Sequence, residues 1–169
     1  MFEPVRKLGP EDTVALFDCG HSALNQFLQR FALVNQRANS AQTYVSCESG
    51  TNTVAGFYSL VVGSVEPSTA ASRVVKGLAR HPVPVMILAR LAIDQKYQGA
   101  GLGTALLKDT LLRTLQAADI AGVRAVLVHA RDAAARNWYL HWGFEPSPTD
   151  PYHLFLLIKE MRKIMKIPS

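Results

Sequence analysis

The stretch from Arg90 to Leu107, R-L-A-I-D-Q-K-Y-Q-G-A-G-L-G-T-A-L-L, constrains the fold more than any other part of the chain. Leu91, Ala92 and Ile93 close an apolar run that began at Val83. Gly99, Gly101 and Gly103 follow, and a Leu-rich helical pattern sets in at once. That order predicts a buried strand, a sharp loop and a helix opening directly out of the loop. Glycines let the backbone turn tightly and carry no Cβ to hold a ligand away from the main chain. The first N–H groups of a helix are unpaired and bear positive partial charge, so the loop offers a seat for a phosphate or pyrophosphate. Two common phosphate loops are excluded. No Lys-Ser or Lys-Thr follows the glycines, as a P-loop requires. Gln98-x-x-Gly101-x-Gly103 also differs from the G-x-G-x-x-G of a dinucleotide site, and the strand before it is at least the third in the chain.

Upstream, residues 5–8 read as a short strand stopped by Gly9 and Pro10. A helix is expected from about Ser22, with Leu24, Phe27, Leu28 and Phe31 at i, i+3, i+4 and i+7 as its apolar stripe. Residues 43–47 and 54–65 form two strands of a hairpin around Gly50. Between Glu66 and Asp94 no acid occurs, while Arg73, Lys76, Arg80 and Arg90 are basic. A short helix over 70–80 would put Arg73, Lys76 and Arg80 on one face, either as a solvated connector or as a rim for phosphates. Beyond the glycine loop, Leu107, Leu111, Leu115 and Ala118 mark one helical face that ends by Gly122. Residues 123–129, apolar except for Arg124, should then pair parallel to residues 83–94 through a right-handed crossover. Asp132 caps a further helix stopped by Gly143, a short strand starts at Phe144, residues 152–158 form the last strand, and a basic tail covers 159–169. A hairpin beside a parallel pair makes an α/β (α+β) chain. Its central sheet is mixed and mostly antiparallel, with flanking helices, in a single domain over residues 1–169.

Composition narrows the partners. The net charge is +5 and the sequence pI about 9.4, which suits nucleic acid or a phosphorylated ligand. Cys19 and Cys47 are too few for a disulfide framework or a zinc cluster, so no metal site is expected. No apolar run approaches the ~20 residues of a membrane span and no signal peptide opens the chain, so no membrane and a cytoplasmic setting are expected.

Gln98-x-x-Gly101-x-Gly103 after a buried strand resembles the acetyl-CoA loop of the GNAT N-acetyltransferases, and the element order resembles the GNAT fold over essentially the full chain. The resemblance implies that the central strand and its parallel neighbour splay apart, with acetyl-CoA as co-substrate in the gap. It assigns the main chain of Leu91, Ala92 and Ile93 to the pantetheine arm and acetyl carbonyl. The pyrophosphate would lie on the amides of Gln98, Gly99, Ala100, Gly101, Leu102, Gly103 and Thr104. Asn137-x-Tyr139-x-x-x-Gly143-Phe144 is similar to the family's later motif, in which the Asn contacts pantetheine and the Tyr sits beside the thioester sulfur. Aminolysis of a thioester needs a neutral amine, stabilisation of an oxyanion and a proton for the departing thiolate. A phenol, with a pKa near 10, suits the last task, and this makes Tyr139 the catalytic candidate. The plainer alternative is an aromatic ring packed on the helix with its hydroxyl bound to a carbonyl. His129 and Glu66, each ending a strand, are candidate bases, although an amine that is already neutral needs none.

A narrower likeness rests on F-D-C-G-x-x-x-L-N-x-F-L at Phe17 to Leu28, A-G-F-Y-S-L at Ala55 to Leu60, L-A-R-L-A-I-D at Leu88 to Asp94, V-H-A at Val128 to Ala130, and G-F-x-P-S-P at Gly143 to Pro148. Together these resemble the GNAT toxins of bacterial type II toxin–antitoxin systems. That resemblance implies acetylation of the α-amine of aminoacyl-tRNA, a block to translation, a homodimer, and an antitoxin of ribbon-helix-helix type. Arg73, Lys76, Arg80 and Arg90 would then hold the acceptor stem. Two other readings stay open: a GNAT enzyme for a small amine or a protein N-terminus, and a non-catalytic nucleic-acid or regulatory module.

Overall fold

The computed structural model describes residues 1–78 and 81–167. Arg80, one of the expected RNA contacts, therefore lies outside the described residues. The strands are β1 (Arg6–Lys7), β2 (Gln42–Cys47), β3 (Val54–Val65), β4 (Val83–Ile93), β5 (Ala125–His129), β6 (Glu145–Pro146) and β7 (His153–Leu157). They form one 7-stranded sheet in the order β1-β2-β3-β4-β5-β7-β6. β4 and β5 pair parallel, while β1–β2, β2–β3, β5–β7 and β6–β7 are antiparallel, as the hairpin and crossover patterns required. The parallel ladder runs from Val85↔Ala125 to Leu88↔Val128 and stops there, although β4 continues to Ile93.

The chain divides into two compact units. One comprises Met1–Val61 and Ala89–Thr110, the other Val62–Leu88 and Leu111–Ser169. In the first, Phe17, Phe27, Val45, Val54 and Phe57 form the heart of a buried cluster that includes Ala92 of β4. Helices α1 (Ser22–Gln26) and α2 (Ala32–Arg37) cover it, joined by a π-helical turn over Phe27–Phe31. That turn corrects the expected stripe. A π-helical turn holds an extra residue, so the inward phase slips by one position. Phe31 is 52% exposed and Ala32, at 0%, is buried in its place.

In the second unit Val74, Val83, Val85, Leu127 and Phe155 form a separate buried cluster. The expected helix over 70–80 is reduced to α3 (Ser72–Val75), and Lys76 leaves it with ψ 125. No single helical face therefore presents Arg73 and Lys76. Arg124 supplies the reason: its Nε donates to the Val74 carbonyl at 2.8 Å and a terminal nitrogen to that of Lys76 at 3.1 Å. A guanidinium fork thus satisfies carbonyls that a longer helix would have used internally.

Helix α4 spans Leu102–Ala118, and Leu106, Leu107, Leu111 and Leu115 are buried along it. Helix α5 (Ala133–His141) starts where Asp132 accepts a hydrogen bond from the Ala135 N–H at 2.8 Å. Residues Ile158–Met165 form a helix, α6, with Met161 buried and Glu160 paired to Arg73.

Candidate active site

In the first unit the sequence from β4 into α4 folds as one continuous seat. Ala92 is buried and Leu91 and Ile93 are half-buried at the strand end. Asp94 then turns the chain: its carboxylate accepts from the N–H groups of Lys96 at 2.9 Å and Asp18 at 3.1 Å. The Asp18 carbonyl in turn accepts from the Gln95 N–H at 2.9 Å. The F-D-C-G and L-N residues complete this clasp, because Asn25 accepts from Cys19 N–H at 2.9 Å and donates to the Asp18 carboxylate at 3.0 Å. These residues therefore brace the entry to the glycine loop. Gln98 closes it, its amide donating to the Ile93 carbonyl at 3.0 Å.

Gly99 and Gly101 have φ of +83° and +84°, in the left-handed region. A Cβ built on either would meet nothing within 4 Å, so conformation, not crowding, calls for glycine there, and the space beside the loop is open. The first helical hydrogen bond of α4 runs from Ala105 N–H to the Gly101 carbonyl. The amides of Leu102, Gly103 and Thr104 thus precede the helix's own donors, and no acid occupies its first turn. Unpaired amides on a helix of 17 residues with no competing negative charge can receive an anionic diphosphate. Arg90, in the same unit, is not a free cation: its guanidinium lies over the Phe27 ring, 3.7 Å from the centroid.

In the second unit α5 carries the later motif. Asn137 is exposed and Tyr139 buried. Gly143, at φ +95°, reverses the chain, and the Phe144 N–H bonds back to the Tyr139 carbonyl. The reversal lays Phe144 against the Tyr139 ring, edge to face with centroids 5.2 Å apart, while Trp138 packs from another side at 5.0 Å. Gly143-Phe144 is thus the device that fixes the Tyr139 ring. Among the described residues no carbonyl takes the Tyr139 hydroxyl. Burial pushes this phenol well above its ordinary pKa, opposed only slightly by Arg131.

His129 and Glu66 both line one cavity of about 460 Å³ within the second unit, with Val65, Leu127 and Phe155 among its apolar walls. Sequence reasoning missed two further residues of that cavity, Asp150 and His153. Their signal was weak: D-P-Y-H reads as a loop entering a strand, and only the register His129↔His153 reveals the pairing. Arg73, expected to face RNA, instead holds Glu145 at 2.6 Å and Glu160 at 2.8 Å.

A family model described as an acetyltransferase (GNAT) domain matches residues 39–146. The chain is 44% identical over 160 residues to the tRNA-acetylating toxin of Mycobacterium tuberculosis (strain ATCC 25618 / H37Rv), covering 95% of each. Among solved structures it is similar to AtaT complexed with acetyl-methionyl-tRNAfMet, with a TM-score of 0.89, 25% identity, and coverage of 98% of this chain and 99% of that one. It is also similar to a mutant AtaT toxin bound to the C-terminus of the antitoxin AtaR and acetyl-CoA, with a TM-score of 0.81, 25% identity, and coverage of 97% and 98%.

Proposed function

Because the chain belongs to the GNAT acetyltransferases, we propose that it transfers acetyl from acetyl-CoA to the α-amine of the amino acid on charged tRNA, and so stops translation. The observation that carries this reading is the 44% identity, across 95% of both chains, to a toxin named for acetylating tRNA.

The residues suit acetyl-CoA. Open space beside Gly99 and Gly101, and the unpaired amides that begin α4, fit a diphosphate. In this reading the amides from Gln98 to Thr104 hold the pyrophosphate. The main chain of Leu91, Ala92 and Ile93 and the side chain of Asn137 orient the pantetheine arm. Acetyl-CoA supplies an acetyl group activated as a thioester. Tyr139 gives its hydroxyl proton to the sulfur: burial keeps the phenol protonated across the working pH range, and among the described residues no carbonyl holds that proton back. The same burial disfavours a thiolate forming beside the phenol, so the proton passes to sulfur as negative charge develops there.

The net charge of +5 supports an RNA substrate, and Lys76, Arg73, Arg80 and Arg90 are the residues we assign to its phosphates. Arg73 meets RNA by exchanging Glu145 and Glu160, and exposed ion pairs of that kind are weak enough to exchange. Such contacts position the acceptor stem and leave its sequence unread. No helix among the described residues is long and apolar enough to cross a membrane. A charged-tRNA substrate places the protein in the cytoplasm, and we infer a homodimer neutralised by an antitoxin of ribbon-helix-helix type. The test is incubation with labelled acetyl-CoA and total charged tRNA. Label should be released from RNA as an N-acetylated amino acid. Label found only on small amines or protein N-termini overturns the reading.

A further inference from the structure

The cavity in the second unit has a composition that the acetyl-CoA seat and Tyr139 leave unexplained. Its polar lining is Ser64, Glu66, Thr69, His129, Thr149, Asp150 and His153, with neither Lys nor Arg. The two carboxylates, Glu66 and Asp150, repel phosphate and welcome an amine or ammonium. On a chain of net charge +5, a cavity free of Lys and Arg is a local reversal of sign.

At its wall the two imidazoles stack. The rings of His129 and His153 lie parallel within 15°, with centroids 3.9 Å apart. β5 and β7 place them directly opposite each other, immediately past Val128, where the ladder with β4 ends. Asp150 flanks the pair, its carboxylate 3.4 Å from His153 Nε2. That carboxylate is itself fixed, accepting from the Tyr152 N–H at 2.9 Å. Ser147, bonded to the Thr69 carbonyl and to Thr149, ties the two edges of the cavity together. His129 is exposed at the strand end, so an incoming group can reach it.

We propose that His129 is the proton acceptor for the amine that is acetylated, with His153 and Asp150 as the positioning residues that set its protonation. The proposal rests on the reading that the acceptor is the α-amine of charged tRNA. In the step, the amine nitrogen bonds to the acetyl carbon and the carbon–sulfur bond breaks. The surplus proton on nitrogen passes to the imidazole of His129, the phenol proton of Tyr139 goes to sulfur, and solvent restores both side chains. The nitrogen becomes a stronger acid once bonded to the acetyl carbon, so a weak base such as a neutral imidazole can take its proton. The titratable groups facing His129 across the cavity are Glu66, Asp150 and His153. Removal of water from part of the ring, then the neighbouring His153, lower its pKa, and Asp150 pulls the other way. His129 therefore stays neutral, and able to accept a proton, to lower pH than an ordinary imidazole.

The test is single-turnover transfer to charged tRNA at saturating acetyl-CoA, followed across pH 5 to 9 or thereabouts. The parent rate should rise with pH through an inflection below the ordinary imidazole range and then level off. His129→Asn should lose that inflection and run at least a hundredfold slower on the plateau, within the usual range for a lost general base. Asp150→Asn should move the inflection to lower pH, because a charge that favours the imidazolium is gone. Imidazole NMR of the free protein should show the His129 pKa moving down in the same variant. A His129→Asn protein that matches the parent, or an inflection and an NMR pKa unmoved by Asp150→Asn, overturns the proposal while leaving the acceptor reading standing. A parent that puts no label on charged tRNA at any pH overturns that reading, and this proposal with it.

Discussion

Replacing Gly101 separates what the glycine loop does for folding from what it does for binding. The residue has φ +84° and no atom within 4 Å of the Cβ it lacks, so Gly101→Ala meets no wall. Its cost is conformational, about 1–2 kcal/mol for an ordinary side chain in the left-handed region. For a chain of this size that lowers Tm by about 2–4 °C per kcal/mol. Gly101→Asp costs less in stability, because Asp tolerates left-handed angles better and is favoured just ahead of a helix. For acetyl-CoA the order reverses. A carboxylate about 6 Å from the pyrophosphate, at an effective dielectric constant of about 20, opposes it by roughly 3 kcal/mol per charge pair before salt screening. A loss of at least tenfold in affinity, about 1.4 kcal/mol, is therefore expected for Gly101→Asp. Gly101→Ala should lose less. Calorimetric titration with acetyl-CoA and thermal melts of both variants give the two rankings. An Asp variant that is folded and binds acetyl-CoA within about twofold of the parent would remove the loop from the pyrophosphate site.

Changing Arg73, Lys76 and Arg80 together to Ala should weaken tRNA binding and flatten its dependence on salt, by up to ~0.9 in the log–log slope per lost phosphate contact, with acetyl-CoA binding retained. Unchanged tRNA titrations at several salt concentrations would return these residues to a structural or solvated role. Arg124→Ala leaves the carbonyls of Val74 and Lys76 without their donor and should cost about 1–3 kcal/mol in denaturant unfolding. A midpoint equal to the parent's would show that water replaces the guanidinium at no cost.

The strands and the glycine loop were legible because their signals are local. Val54–Val65 runs between the expected ends, since β-branched and aromatic residues bounded by turn residues admit little else. Gln98 to Thr104 announced itself because left-handed backbone at Gly99 and Gly101 demands glycine. What failed depended on partners distant in sequence. The stripe ending at Phe31 assumed an unbroken helical period, and nothing local announces the π-helical turn that moves Ala32 inward. The basic face over Arg73, Lys76 and Arg80 assumed a helix that Arg124, far along the chain, helps to end early. Arg73 read as a free cation because Glu145 and Glu160 come to it only through the fold. The His129–His153 stack was hidden for a related reason, as strand register decides it and neither flanking sequence contains it.

Tyr139 is where the account is most exposed. Its ring is fixed by Phe144 and Trp138, its hydroxyl is bound to no carbonyl among the described residues, and its assigned task is a proton for the departing sulfur. Tyr139→Phe keeps the ring and its packing, so folding and acetyl-CoA affinity should hold, and an interaction felt mainly in the transition state should vanish. The measurement is single-turnover transfer of labelled acetyl from saturating acetyl-CoA to aminoacyl-tRNA. The parent should acetylate the α-amine, and the Phe variant should be slower by roughly two orders of magnitude or more. A folded Phe variant that transfers acetyl as fast as the parent would contradict the account, leaving Tyr139 as a packed ring and the proton to water or the RNA.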